Sequence, residues 1–170
     1  MRSNRLTRLA VVAAVTASAL ALTGTALASR CTSVGGSFTG TTYYPPPCLS
    51  PIGVCFQLTP LGSFLQTDTF TFQTLLNAGD PSDPTKYVYT GVSAISADGG
   101  RTLSGEDTGV MHIDPTELAP FATTIAVTVG TRQYRNATGD IVLTGQLDLS
   151  TGLSSGTYTG MVCKSADGDD

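Results

Sequence analysis

The chain has no tryptophan, a single histidine, His112, and no apolar run beyond its first 30 residues long enough to be a membrane span. Each shortage excludes something. With one histidine, no Gly-x-Ser-x-Gly elbow and no carboxylate fixed to His112 by spacing, a serine triad has no support. Zinc lacks its usual ligands, because no Cys-x-x-Cys pair and no second histidine occur. Glycines are frequent, but Ser33-Val34-Gly35-Gly36-Ser37 does not stand between a strand and a helix, so no phosphate or dinucleotide loop is indicated. No metal and no cofactor is therefore expected. The acidic end, Asp167-Gly168-Asp169-Asp170, lacks the twelve-residue ligand loop and closing glutamate of a calcium site.

Basic residues are also scarce, and three of the nine lie in the first eight positions: Arg2, Arg5 and Arg8. They precede an apolar run of roughly 14 residues from Leu9 to Leu22 and a small-residue end at Ala26-Leu27-Ala28, the three parts of a secretory signal peptide. The run is short of the roughly 20 residues a membrane helix needs. Arg30 before Cys31 does not fit a lipidation site, and the twin-arginine pair is missing. The expectation is a Sec-type signal over residues 1–28 and a secreted, extracellular protein with no membrane anchor. From Ser29 onward the chain has six basic residues against 13 acidic ones, a net charge of about −7. Such a balance argues against nucleic acid as a partner.

Four cysteines remain, Cys31, Cys48, Cys55 and Cys163, and an even number in an exported chain reads as two disulfides. Three pairings are open. The favoured one joins Cys31 to Cys48 and Cys55 to Cys163, so that the second bridge ties the first strand to the last.

Along the chain, residues 29–60 are rich in Gly, Pro and Ser and read as an irregular arm held by its cysteines over one end of the domain. Residues 61–163 form the β domain, and 164–170 a disordered acidic tail. Alternation with period two dominates the domain. Phe64, Gln66, Asp68, Phe70, Phe72 and Leu76 share one strand face. Tyr87, Tyr89 and Ile95 share the next, and Leu103, Asp107, Met111 and Ile113 a third. Asp98-Gly99-Gly100 is a hairpin turn, and Asp114-Pro115-Thr116-Glu117 could start a helical turn. Ile125, Val127 and Val129 mark another strand; Ile141, Leu143, Leu147 and Leu149 mark one more; Gly156 to Cys163 is the last. Six or seven antiparallel strands without crossover helices must close into a barrel or pack as a sandwich.

One segment narrows that choice. Gly130-Thr131-Arg132-Gln133-Tyr134-Arg135-Asn136-Ala137-Thr138-Gly139, followed by Ile141 to Gly145, Asp148-Leu149 and Tyr158-Thr159-Gly160, resembles the barrel proteins related to allene oxide cyclases and plant dirigent proteins. Arg132 stands where that family usually has a second glycine. The resemblance covers about a quarter of the chain. It implies an all-β antiparallel barrel of about eight strands, which is wide enough either to fill with side chains or to hold one small ligand. Some barrels of the family bind or guide a hydrophobic small molecule, and many are oligomers; a barrel that does not close could pair edge to edge, so a homo-oligomer is a further possibility. No catalytic residue of the family maps onto this chain. Asn136-Ala137-Thr138 fits a glycosylation pattern but reads as turn chemistry.

Asp68 and Asp107 are the residues to watch, because each falls by parity on an apolar strand face, where a charge is costly unless paired. Pointing inward, they would have raised pKa values and could orient or protonate a small ligand beside Phe70 and Tyr89. His112 falls on the wet face with Glu106 and reads as a surface histidine. Two functions compete: a secreted barrel that binds a small hydrophobic molecule or guides its chemistry, and a non-enzymatic structural or surface-interaction module with a filled, disulfide-stabilised barrel. The shortage of catalytic groups leans away from an enzyme.

Overall fold

The computed structural model describes residues 30–62, 64–97, 99–114 and 118–164. The expected signal peptide, the helical start at Pro115–Glu117 and the tail beyond Lys164 lie outside them. Eight strands follow one another: β1 (Arg30–Tyr43), β2 (Cys55–Leu61), β3 (Leu65–Asn77), β4 (Lys86–Ala97), β5 (Arg101–His112), β6 (Ala119–Gly130), β7 (Thr138–Leu147) and β8 (Leu153–Lys164). Each pairs antiparallel with its neighbour in sequence, and β1 pairs with β8, so the sheet closes as an eight-strand barrel. Every strand therefore has a neighbour on both sides, although the β2 seam is short and pairs with β3 only over Cys55–Leu58 and Asp68–Thr71.

The arm is shorter than the sequence suggests. Residues 30–43 form the longest strand, and 55–60 belong to β2, so only 44–54 are irregular. Glycines at 35, 36 and 40 obscured the strand, yet its alternation persists, with Val34 and Phe38 buried among exposed neighbours. Lys164 likewise ends β8 and does not begin a tail.

This correction also reverses the disulfides. Cys31 pairs with Cys163 and Cys48 with Cys55. Once β1 is a strand, Cys31 lies directly opposite Cys163 in the β1–β8 ladder, at the other end of the barrel from Cys48. A bridge does tie the first strand to the last, but that first strand is β1.

The core fills the barrel interior from inward-facing alternate residues: Phe38, Ile95, Leu103, Ile125, Ile141 and Val162 are each at most 2% exposed. Three register shifts move residues that simple parity misplaces. A shift between Leu65 and Thr67 buries Leu65 and leaves Gln66 outside. A second, between Phe72 and Thr74, turns Leu75 toward the core and leaves Leu76 exposed. On β6, Val127 and Val129 pair with the consecutive residues Gly105 and Ser104, and this bulge puts Val129 at the surface. Leu149 lies past the end of β7 and is also exposed.

The two ends differ. At one, the 131–137 loop folds Tyr134 over the interior, where it is buried and meets Phe64 edge-on. Lys164 and Arg101 stack over its ring at 4.8 and 5.7 Å. Arg132 and Asn136 adopt φ of 55° and 57°, and Arg132 Nη1 donates to Gly99 O at 2.8 Å, which anchors the loop to the β4–β5 turn. At the other end, the 44–54 loop lies beside the rim, with Ser50 Oγ donating to Phe72 O at 2.7 Å.

Candidate functional site

Midway along the barrel, β3, β4 and β5 turn Asp68, Ser93 and Asp107 into the interior, all three at most 3% exposed. The inward positions beside them are glycines. A Cβ at Gly91 would lie 2.3 Å from the Phe70 ring, and one at Gly109 equally close to the Tyr89 ring. The missing side chains let both rings lie flat across the sheet. Phe56, Phe70, Phe72 and Tyr89 thereby form one cluster, with successive ring centroids 4.6 to 6.3 Å apart.

Ser93 Oγ lies 3.0 Å from Asp107 Oδ1 and 3.4 Å from Asp68 Oδ2. A hydroxyl has one proton to give, so it can donate to only one of the two carboxyl groups at a time. The second oxygens, Asp68 Oδ1 and Asp107 Oδ2, have no hydrogen-bond partner. Burial pushes Asp68 up to about 7, against the lowering effect of Ser93. Asp107 rises to about 8, through burial first and the neighbouring Asp68 second. Tyr89 hydrogen-bonds Thr123 and is pushed up to about 12 by burial. Near neutral pH the pair is therefore substantially protonated, and the phenol stays neutral.

These groups line a cavity of about 30 Å³, room for roughly two water molecules. Toward the open end it shares Phe56, Phe72 and Met111 with a wider mouth of about 180 Å³, whose outer wall includes Ile52, Val54, Ile113 and Leu149. Deeper in, Asp68 and Leu143 also face a smaller void beside Tyr158.

Asp68, Phe70, Tyr89 and Asp107, singled out from the sequence, thus lie around one cavity. Ser93, Thr123 and Ser154 were not foreseen there. Ser93 was readable, since it shares parity with Tyr89 and Ile95; Ser154 follows the last turn and gave no signal. His112 sits apart at the surface, where Nδ1 lies 3.0 Å from Asp83 Oδ2, a carboxylate 29 positions away that spacing could not indicate. Asp83 is held below the usual carboxylate range by its hydrogen bond from Thr85 first and by His112 to a lesser degree. Among the described residues no group of three or more His, Cys, Asp or Glu side chains could hold a metal.

No protein-family model matches the chain, and no curated protein sequence does. Among solved structures, it is similar to the pterocarpan synthase dirigent protein GePTS1, at 17% identity and a TM-score of 0.47, over 81% of this chain and 92% of that one.

Proposed function

We propose that this is an exported barrel that binds a small, largely apolar molecule through its open end, with the molecule's polar group directed at Asp68, Ser93 and Asp107. The observation that carries the reading is the pair of buried carboxyl groups, each with an oxygen lacking a partner, inside an otherwise aromatic and aliphatic wall. A barrel built only for durability gains nothing from them, because well-packed apolar residues are usually as stabilising as buried polar ones or more so. Guidance of the ligand's chemistry would follow from the same pair, since a carboxyl group with a pKa near neutrality can give or take a proton at working pH. The two disulfides accord with an oxidising compartment.

The small inner volume favours the second reading, a filled structural module. The two readings separate on what the protein carries. Native mass spectrometry of the protein purified from its own culture medium should show an added mass that organic extraction removes, and Asp107→Asn should lose that mass while keeping its β-sheet circular dichroism. A bare mass in the parent, before and after extraction, would favour the module.

A further inference from the structure

The geometry points to a primary amine as the ligand, with its ammonium head in the inner cavity among Asp68, Asp107 and Ser154 and its apolar body in the mouth. This rests on the reading that the barrel binds a small molecule through its open end, and it names the chemistry of that molecule.

Three kinds of observation converge. The first is the donor and acceptor count. Asp68 Oδ1, Asp107 Oδ2 and Ser154 Oγ are all buried, all lack a hydrogen-bond partner, and all belong to residues lining the same cavity. Ionised carboxyl groups only accept, and an ammonium group offers three N–H donors and no acceptor. A carbonyl or ether oxygen could only accept, from a protonated carboxyl group or the Ser154 hydroxyl, whereas an ammonium group can donate to all three oxygens once the pair is ionised.

The second is charge. The groups facing the pair are Tyr89 and Ser93 from β4, Thr123 from β6, and Ser154 and Tyr158 from β8. Strands β2 and β7 contribute Leu58 and Leu143, which are apolar. Among the described residues, no lysine, arginine or histidine lines the cavity, so nothing from the protein competes for the carboxylates. Tyr89 and Tyr158 are both raised by burial and stay neutral. The faces of the Phe56, Phe70, Phe72 and Tyr89 cluster add the attraction of aromatic rings for a cation.

Size is the third. A volume of about 30 Å³ takes a CH₂NH₃⁺ head but not a ring, whereas the mouth of about 180 Å³ takes an aryl or alkyl body. A calcium ion would want six to eight oxygens, and the remaining lining is mostly apolar.

Proton linkage gives the test a sign. With Asp68 and Asp107 raised to about 7 and about 8, the free site is largely protonated at pH 7, so a cation must displace a proton to bind. The experiment is isothermal titration calorimetry of the full secreted chain with primary amines from benzylamine to dodecylamine and the matched alcohols. It is run from pH 6 to 8.5 and, at pH 7, in two buffers of different ionisation enthalpy. Expected are at least tenfold tighter binding of the best amine than of its alcohol, affinity that increases with pH, and a net release of protons on amine binding at pH 7. Asp107→Asn should abolish the amine preference, and Ser154→Ala should weaken amine binding several-fold while leaving alcohol binding unchanged. Alcohols binding as tightly as amines, with no proton released, would overturn the amine and leave the small-molecule reading standing. No binding across the whole panel would overturn both.

Discussion

At one end of the barrel Tyr134 is roofed by Lys164 and Arg101 and flanked by Phe64, and a disulfide joins β1 to β8; at the other, a disulfide-stapled loop stands beside a mouth of about 180 Å³. Each end has one bridge, but the bridges do different things. Cys31–Cys163 spans 132 residues and joins two strands that already pair, so it locks the closure of the whole barrel. Cys48–Cys55 spans seven and shapes a local loop. One end is built to stay shut, while the other keeps an apolar opening above a polar layer.

The sharpest way to break this comparison is to remove the bridges one at a time. On the chain-entropy model, the 132-residue loop is worth about 5 kcal/mol and the seven-residue loop about 2.4. Cys31→Ala with Cys163→Ala should therefore lower the urea unfolding midpoint about twice as far as Cys48→Ala with Cys55→Ala. Equal losses would mean that the two bridges do not divide closure from loop shape.

Side chains at the two ends should divide in the same way. Tyr134 is 3% exposed and fills the closed end, so Tyr134→Ala should cost about 3 kcal/mol. Ile52, at the lip of the mouth, is 41% exposed, and Ile52→Ala should stay within about 0.5 kcal/mol. Urea titrations of the two variants check both values. A large loss at Ile52 would show that the open end is packed as firmly as the closed one.

Period-two alternation made most of the barrel wall legible, because a side chain's face follows from its parity wherever the ladder runs unbroken. The sequence misleads at Gln66, Leu76 and Val129, where a register shift inserts one residue and flips the parity beyond it. Such shifts depend on pairing with the neighbouring strand, so a single strand does not reveal them. Glycines hid β1 for a related reason. Gly36 and Gly40 have too little side chain to mark a face, yet a Cβ at Gly36 would sit 2.4 Å from the Leu61 carbonyl oxygen and one at Gly40 would strike Leu58. They are strand residues made small by close packing. Asp68 and Asp107 stood out as charges on apolar faces, but Ser93, which holds them together, is an ordinary strand residue until β3 and β5 are placed on either side of it.

The polar layer beneath the mouth should also show itself through pH. Asp68 and Asp107 rise to about 7 and about 8 in the folded chain, from 3.8 for an unperturbed aspartate, so the folded state holds their protons more tightly than the unfolded state. The stability they confer as neutral acids is fully present below about pH 4 and is lost as pH rises through 7 and 8. Asp148 acts in a separate window: hydrogen bonds from Ser150 and Thr151 hold it down at about 2, so its contribution is present above its unfolded value and lost only in acid. Between pH 5 and 8.5 the buried pair should therefore dominate, and the parent's urea midpoint should fall. Asp107→Asn cannot ionise and should flatten that fall, leaving the variant more stable than the parent at pH 8.5 by about 2 kcal/mol, the scale of one buried polar group left unsatisfied. Urea titrations at matched ionic strength would measure it. A parent midpoint that is flat over this range would mean that the carboxyl groups ionise without cost, and the open end would then differ from the closed one in shape alone.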